Sequence, residues 1–136
     1  MRLESRARAR ALQAIYAWDL RGEQDLDRVS AQIWDDLAVS PEERQIAGLL
    51  LRTLQQQGAD LDKKLAEVTT NWRLERLGVI ERSVLRLAAA ELQRGETPPR
   101  VVLREAIRLA ERYGSPDSAR FVNGVLDALA RKLGRL

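Results

Sequence analysis

The stretch SPEERQIAGLLLRTLQQQGADLDKKLAEV, residues 40–68, decides the fold class. It opens as a helix does: Ser40 as a cap, Pro41 at the first helical position, and Glu42 and Glu43 in the first turn, where negative charge favours the helix dipole. Ile46, Leu49, Leu50 and Leu54 recur at helical spacing, and the same phase resumes after Gly58 at Leu61, Leu65 and Val68. An interior Gly costs only about 1 kcal/mol, so the spacing predicts a single long helix to about Val68.

The same pattern continues on both sides. Upstream, Ser5 is placed to cap a helix running to about Leu20 and stopped by Gly22, with Ala7, Ala11, Leu12, Ile15 and Trp18 inward. Asp25 or Asp27 starts a second helix with Leu26, Val29, Ile33 and Leu37 inward. Downstream, Asn71-Trp72-Arg73 reads as a short connection or a single turn. A helix follows over about Glu75 to Arg94, stopped by Gly95. Pro98-Pro99 opens another from about Arg100 to Tyr113, burying Val102, Ala106, Leu109 and Ala110, and Gly114 closes it. Ser115-Pro116-Asp117 starts the last, which buries Val122, Val125, Leu126, Leu129 and Leu133 and frays at Gly134. No strand is predicted. The expectation is an all-α fold, six to seven helices in one domain covering 1–136. The Thr69–Leu74 break divides it into two packed three-helix sub-bundles, about 1–70 and 71–136.

Composition agrees. The chain has 136 residues, a length that suits one domain with a sizeable core. Leu (22) and Ala (18) far outnumber Val, Ile and Thr (9, 5 and 4), which favours helix over sheet. With no Cys and no His, disulfides, zinc fingers, iron–sulfur sites, Ser-His-Asp triads and Cys nucleophiles are excluded. No run of 18 apolar residues exists and the N-terminus has no signal-peptide core, so a cytoplasmic protein with no membrane partner is expected. Arg outnumbers Lys by 20 to 3 within a net charge of +3. Residues 1–10 and 128–136 carry +3 each, leaving a mildly acidic middle. Basic ends suit a polyanion, although a genome rich in G and C would also inflate Arg.

Chemistry is sparse. No phosphate-cradling Gly loop is present. The pairs Asp35-Asp36 and Glu42-Glu43 diverge by about 100° on a helix, so neither converges on one atom. Asp25 and Asp27 lack the ligand ladder of a calcium loop, and Tyr16 and Tyr113 have no base partner. No catalytic residue, metal or cofactor is expected. The first helix is more telling. Arg2, Arg6, Arg10 and Gln13 fall within roughly 80° of one another, with Tyr16 at the edge of the stripe. Cations that track phosphate beside a ring that stacks a base make a single-strand nucleic-acid surface; the competing reading is a solvated face. Phe121, beside Arg120 and near Gly124, is either a packing contact or a second stacking platform.

Four segments carry a family resemblance: Arg8-Ala9-Arg10-Ala11-Leu12-Gln13-Ala14-Ile15-Tyr16; Val79-Ile80-Glu81-Arg82-Ser83-Val84-Leu85-Arg86-Leu87-Ala88 with Glu91-Leu92; Arg104-Glu105-Ala106-Ile107-Arg108-Leu109-Ala110 with Tyr113-Gly114; and, most specific, Phe121-Val122-Asn123-Gly124-Val125-Leu126-Asp127. In this order they resemble the NusB family over nearly the whole chain, weakly over 22–60. Glu4 interrupts a basic run that is denser in the family, and Ala90 stands where an aromatic is usual. The resemblance implies a transcription antitermination factor with two three-helix bundles. Such a factor binds boxA-type single-stranded RNA of ribosomal RNA leaders together with NusE, a small-subunit ribosomal protein, and joins the elongating RNA polymerase complex. Carried onto this chain, the implied RNA contacts are Arg2, Arg6, Arg10, Gln13, Tyr16, Asp117, Arg120 and Phe121. Two alternatives stand beside it: a helical protein-interaction adaptor with weak RNA affinity, and a stand-alone relative of the NusB-like domain of ribosomal RNA cytosine methyltransferases. A homodimer of the free chain stays open.

Two charge placements carry further expectations. Arg8 falls between Leu12 and Ile15 on the core side of the first helix, and Glu91 lies among Val84, Ile80 and Leu87 on the central one. A charge on an apolar face needs a partner, so Arg8 is expected to meet a carboxylate, Glu91 first and Asp127 second. The apolar stripe of the central helix, from Leu87 and Ile80 round to Leu85 and Leu92, spans about 160°, wider than one buried seam needs. A partner surface of Leu85 and Leu92 flanked by Glu75 and Glu81 is therefore expected, and the resemblance assigns it to NusE, whose basic character suits acids at the rim. The competing reading is a helix simply covered by its own neighbours.

Overall fold

The computed structural model describes residues 2–22, 25–69 and 73–136. Six α-helices follow one another: α1 (Leu3–Arg21), α2 (Leu26–Asp36), α3 (Pro41–Val68), α4 (Val79–Arg94), α5 (Pro99–Tyr113) and α6 (Pro116–Lys132). One 3₁₀ turn, Leu74–Arg76, precedes α4, and no strand occurs among the described residues. The first three helices pack on one another, as do the last three, and both α1 and α3 lie against α4. One apolar cluster runs through both groups, from Ile15 on α1 through Leu51 and Leu61 on α3 and Leu85 on α4 to Leu126 on α6. The two groups are halves of one core. Of the expected link between them, Asn71 and Trp72 lie outside the described residues.

The long helix forms as its sequence dictates. Ser40 Oγ accepts the Glu43 backbone N–H at 3.2 Å while the Glu43 carboxylate accepts the Ser40 N–H at 3.3 Å, a reciprocal capping box. Gly22 and Gly95 close α1 and α4 with φ of 65° and 72°, the left-handed conformation that favours glycine.

Several boundaries and burials differ from expectation. α1 begins at Leu3, so Ser5 is no cap; its hydroxyl donates instead to Glu105 on α5. α2 stops at Asp36, which leaves Leu37 exposed past the last turn. Trp34 takes the inward place and donates from Nε1 to the Arg10 carbonyl at 3.1 Å. Leu49 is exposed, because the neighbours of α3 cover the Leu50 and Leu54 side of the stripe. The helix expected from Glu75 begins at Val79. Leu77 and Gly78 are extended, and the Glu81 carboxylate folds over Gly78 at 2.9 Å from where a Cβ would stand.

Arg8 is buried and grips Glu91 with both arms of its guanidinium, Nε to Oε1 at 2.8 Å and Nη2 to Oε2 at 2.6 Å. Its third nitrogen reaches Glu105 at 3.2 Å. The second partner is therefore Glu105 and not Asp127, which faces outward on α6 and pairs with Arg131. The Glu91 hydrogen bond, assisted by the charges of Glu91 and Glu105, raises the pKa of Arg8 against the opposing effect of burial. At the other end of α1, Asp19 takes a fork from Arg82, at 2.7 and 2.9 Å, and one arm of Arg86 at 3.0 Å. Arg86 also forks onto Asp62 of α3 and lies 5.6 Å from the Trp18 ring. The Arg82 hydrogen bond holds Asp19 below the usual carboxylate range. α1 and α4 thus run antiparallel, pinned by one ion cluster near each end.

Removing one member of a buried ion pair strands the other. Arg8→Met leaves Glu91 and Glu105 without their cation and is expected to cost about 3–5 kcal/mol in urea unfolding. Arg8→Met/Glu91→Leu, which removes one of the two stranded charges, regains part of that loss; a double variant weaker than the single would contradict the assignment.

Candidate nucleic-acid interface

Helix α1 turns Ala7, Ala11, Ala14 and Ile15 into the core, which leaves Arg2, Arg6, Arg10, Gln13 and Tyr16 along one outward face. Arg2 and Arg6 are exposed, while Arg10, Gln13 and Tyr16 are half-buried. The face is more organised than its sequence suggested. Glu43, buried at the start of α3, accepts from Arg6 Nε at 3.2 Å and lies 3.8 Å from Arg10 Nε. Arg10 also donates to Gln13 Oε1 at 3.3 Å. Burial alone would raise the Glu43 pKa, but the Ser40 hydroxyl and backbone N–H, followed by Arg10 and Arg6, hold it lowered and the group ionised. One carboxylate therefore caps α3 and orients two guanidinium groups. The fourth N-terminal arginine, Arg8, belongs to the interior.

A second edge forms where α6 begins. The Ser115 hydroxyl accepts the Ser118 N–H at 3.1 Å and caps the helix. Asp117 in its first turn pairs with Arg120, both fully in solvent. Phe121 is half-buried and lines a depression of about 290 Å³ with Asp117, Arg76, Leu77, Gly78 and Glu81. The structure thus brings Glu81, expected to face a protein, together with Asp117 and Phe121, expected to face RNA. The two edges adjoin the start of α4: Tyr16 lies one turn before Asp19, which holds Arg82 next to Glu81.

The other two expected partner residues are corrected. Leu85 and Leu92 are 0% and 1% exposed, covered from within the domain. The width of the α4 stripe reflects the central position of this helix, which meets α1, α3, α5 and α6 at once. Glu75 is exposed and Glu81 half-buried, so only the acids of that set reach solvent. A groove of about 1080 Å³ lies between the end of α1, the end of α3 and the start of α4, but Asp19, Asp62, Arg82 and Arg86 on its walls are paired with one another. Among the described residues no three acids gather into a metal-holding group. Sequence reasoning missed Glu43 as a site residue. The Ser40-to-Glu43 spacing announces its cap, but nothing local announces its reach to α1.

Fold and site define a class: a small all-helical domain whose charged and aromatic groups lie along exposed edges. The model of the NusB family matches residues 5–131, and the chain belongs to that family. It is 43% identical to the transcription antitermination protein NusB of Anaeromyxobacter dehalogenans (strain 2CP-1 / ATCC BAA-258) over 95% of this chain and 91% of that one. It is 42% identical to the protein of the same name from Sorangium cellulosum (strain So ce56), over 100% and 97%. Among solved structures, a complex described as antitermination factors NusB and NusE with double-stranded RNA contains a chain that superposes with a TM-score of 0.88 at 28% identity, covering 98% of that chain and 97% of this one.

Glu43→Ala is expected to lower stability by about 1 kcal/mol, the usual size of a helix-cap contribution. Because the folded-state pKa of Glu43 is lowered, its contribution is present above the ordinary carboxylate pKa and lost as pH falls through the folded value. Parent and variant should therefore differ at neutral pH and converge in acid; a constant difference in urea unfolding across that range would refute the role.

Proposed function

We propose that this chain is a transcription antitermination factor that binds boxA-type RNA together with NusE, acts in the cytoplasm within the elongating RNA polymerase complex, and works by binding without catalysis. Family membership over residues 5–131 is the observation that carries the reading. The arginine face of α1 supports it, since cations prealigned by Glu43 meet a phosphate backbone with less ordering cost. The neighbouring complex contains double-stranded RNA. The single-strand reading for this chain rests on Tyr16 and Phe121, whose ring faces suit unstacked bases. In this reading Asp117 holds Arg120 away from phosphate and tunes affinity downward. Glu75 and Glu81 form an acidic rim for basic NusE. Two relatives matched over 91% and 97% of their own length are antitermination proteins, which favours this reading over that of a methyltransferase relative.

The test is RNA titration against salt, with and without NusE. Arg6→Ala or Arg10→Ala is expected to weaken binding to all sequences and to reduce the salt slope by roughly one unit for each phosphate contact removed. Phe121→Ala should cost about 1–3 kcal/mol with the slope nearly unchanged. Asp117→Asn should strengthen binding modestly by freeing Arg120. If all of these bind boxA RNA as the parent does, the site is elsewhere. A single- and a double-stranded boxA oligonucleotide titrated side by side decide the strand state.

NusE binding tests the rim separately. Glu81→Lys should weaken it, with Glu81→Gln giving a smaller loss while preserving the start of α4. Unchanged NusE affinity in both variants counts against the rim.

A further inference from the structure

Helix α5 carries a feature that the proposed RNA site does not use. Arg100, Arg104, Arg108 and Arg112 recur every four residues, so they form one ridge with neighbours about 5–6 Å apart and a total length of about 18 Å. All four are exposed. They are also poorly neutralised. Arg8, Arg44, Arg82, Arg86 and Arg94 are each held by a carboxylate within 3.2 Å. On the ridge, among the described residues, the only ion pair is a long one, Arg108 to Glu105 at 3.9 Å, and Glu105 is already shared with Arg8 and Ser5. Arg112 leans over the Tyr113 ring at 5.3 Å.

The ridge borders a depression of about 400 Å³ between α5 and α6. Its floor is Leu103 and Ile107, one wall is Arg104 and Arg108, and Asn123 of α6 stands across from them. Glu111 is the single acid in the lining. Cations beside an apolar floor and an amide with both donor and acceptor suit a phosphate backbone and a base.

The strip adjoins the α6 edge: Asn123, which lines the depression beside the ridge, follows Arg120 by three residues, one turn along the exposed side of α6. We propose that the α5 arginine ridge with Asn123 of α6 is a second RNA-binding strip, which holds the single-stranded RNA flanking the element bound at the α1 and α6 edges through its backbone and without regard to sequence. The inference rests on the RNA-binding reading, which it extends to RNA longer than the recognised element.

The test uses the full chain and three RNAs: a boxA oligonucleotide of about 12 nucleotides, the same element extended with uridines to about 30, and an oligouridylate of about 30, all longer than the minimal footprint of a single-strand site. The extended RNA is expected to bind more tightly and with a steeper salt slope than the short one. Arg104→Gln/Arg108→Gln should abolish that gain and leave the short RNA unaffected, while Arg52→Gln, an exposed arginine on α3, changes nothing. Each phosphate neutralised on a single strand contributes about 0.7 unit of slope, so the double variant lowers the slope by about 1.4, equivalent to about 25-fold across one decade of salt. Oligouridylate binding by Arg6→Ala/Arg10→Ala/Phe121→Ala, sensitive to the α5 pair, separates the two sites. Loss with the α5 pair but not with the α1 and α6 changes overturns the functional reading and keeps the strip; the reverse overturns the strip. An extended RNA that gains nothing, a slope unmoved by the α5 pair, or an α5 pair that weakens NusE binding alone also overturns it, as does a chain that binds none of the RNAs.

Discussion

The buried guanidinium of Arg8 is the constraint on which the arrangement of this molecule turns. It sits where three helices approach one another, and its fork on Glu91 and third arm on Glu105 make it the shared ligand of α4 and α5. Such a cluster adds little net stability, because desolvating the ions offsets much of their attraction. What it adds is register. A fork accepts its carboxylate in few orientations, so α1 cannot slide or rotate against α4 without stranding a charge. With Arg82 and Arg86 fixing Asp19 at the far end, the azimuth of α1 is determined, and so is which of its residues face water.

The proposed binding edges are built on that fixed azimuth. Arg6 and Arg10 point outward because Arg8 points inward, and Glu43 then gathers them from the start of α3. The same economy recurs at the second edge, where the first turn of α6 sets Asp117 beside Arg120 and the start of α4 supplies Glu81. In both places an acid whose first duty is at a helix start also restrains a neighbouring arginine. Arginine is thereby sorted into internal ties, restrained surface cations and, on α5, a ridge with little restraint. Composition alone could not make that distinction.

Much of this was legible in sequence, for local reasons. Helix starts such as Ser40-Pro41-Glu42-Glu43 and stops such as Gly22 and Gly95 depend on a handful of adjacent residues. Arg8 and Glu91 were legible as a pair because a charge on an apolar face has few ways to be satisfied. Glu105 was not, because its place at the margin of the α5 stripe fits solvent equally well. Leu37 and Leu49 were misjudged because inward phase does not say where a helix ends or which flank a neighbour covers. Leu85 and Leu92 were misjudged for a related reason: a wide stripe fits both an unoccupied face and a helix surrounded on several sides, and only the packing distinguishes them. The α1 face was legible as a stripe, while its link to Glu43 spans 37 residues and has no local sign.

The ties of α1 also bear on the order in which the chain assembles. Arg8 lies 83 residues from Glu91 and 97 from Glu105, and Asp19 lies 63 from Arg82. The helix made first is therefore anchored by helices made much later, and its contacts close the longest loops in the molecule, which carry the largest entropic cost. As the chain leaves the ribosome, α1 has only α2 and α3 to lie against until α4 and α5 follow. Its outward face acquires a fixed orientation only once α4 and α5 have been made, so the arginines of α1 gain their geometry from residues translated long after them.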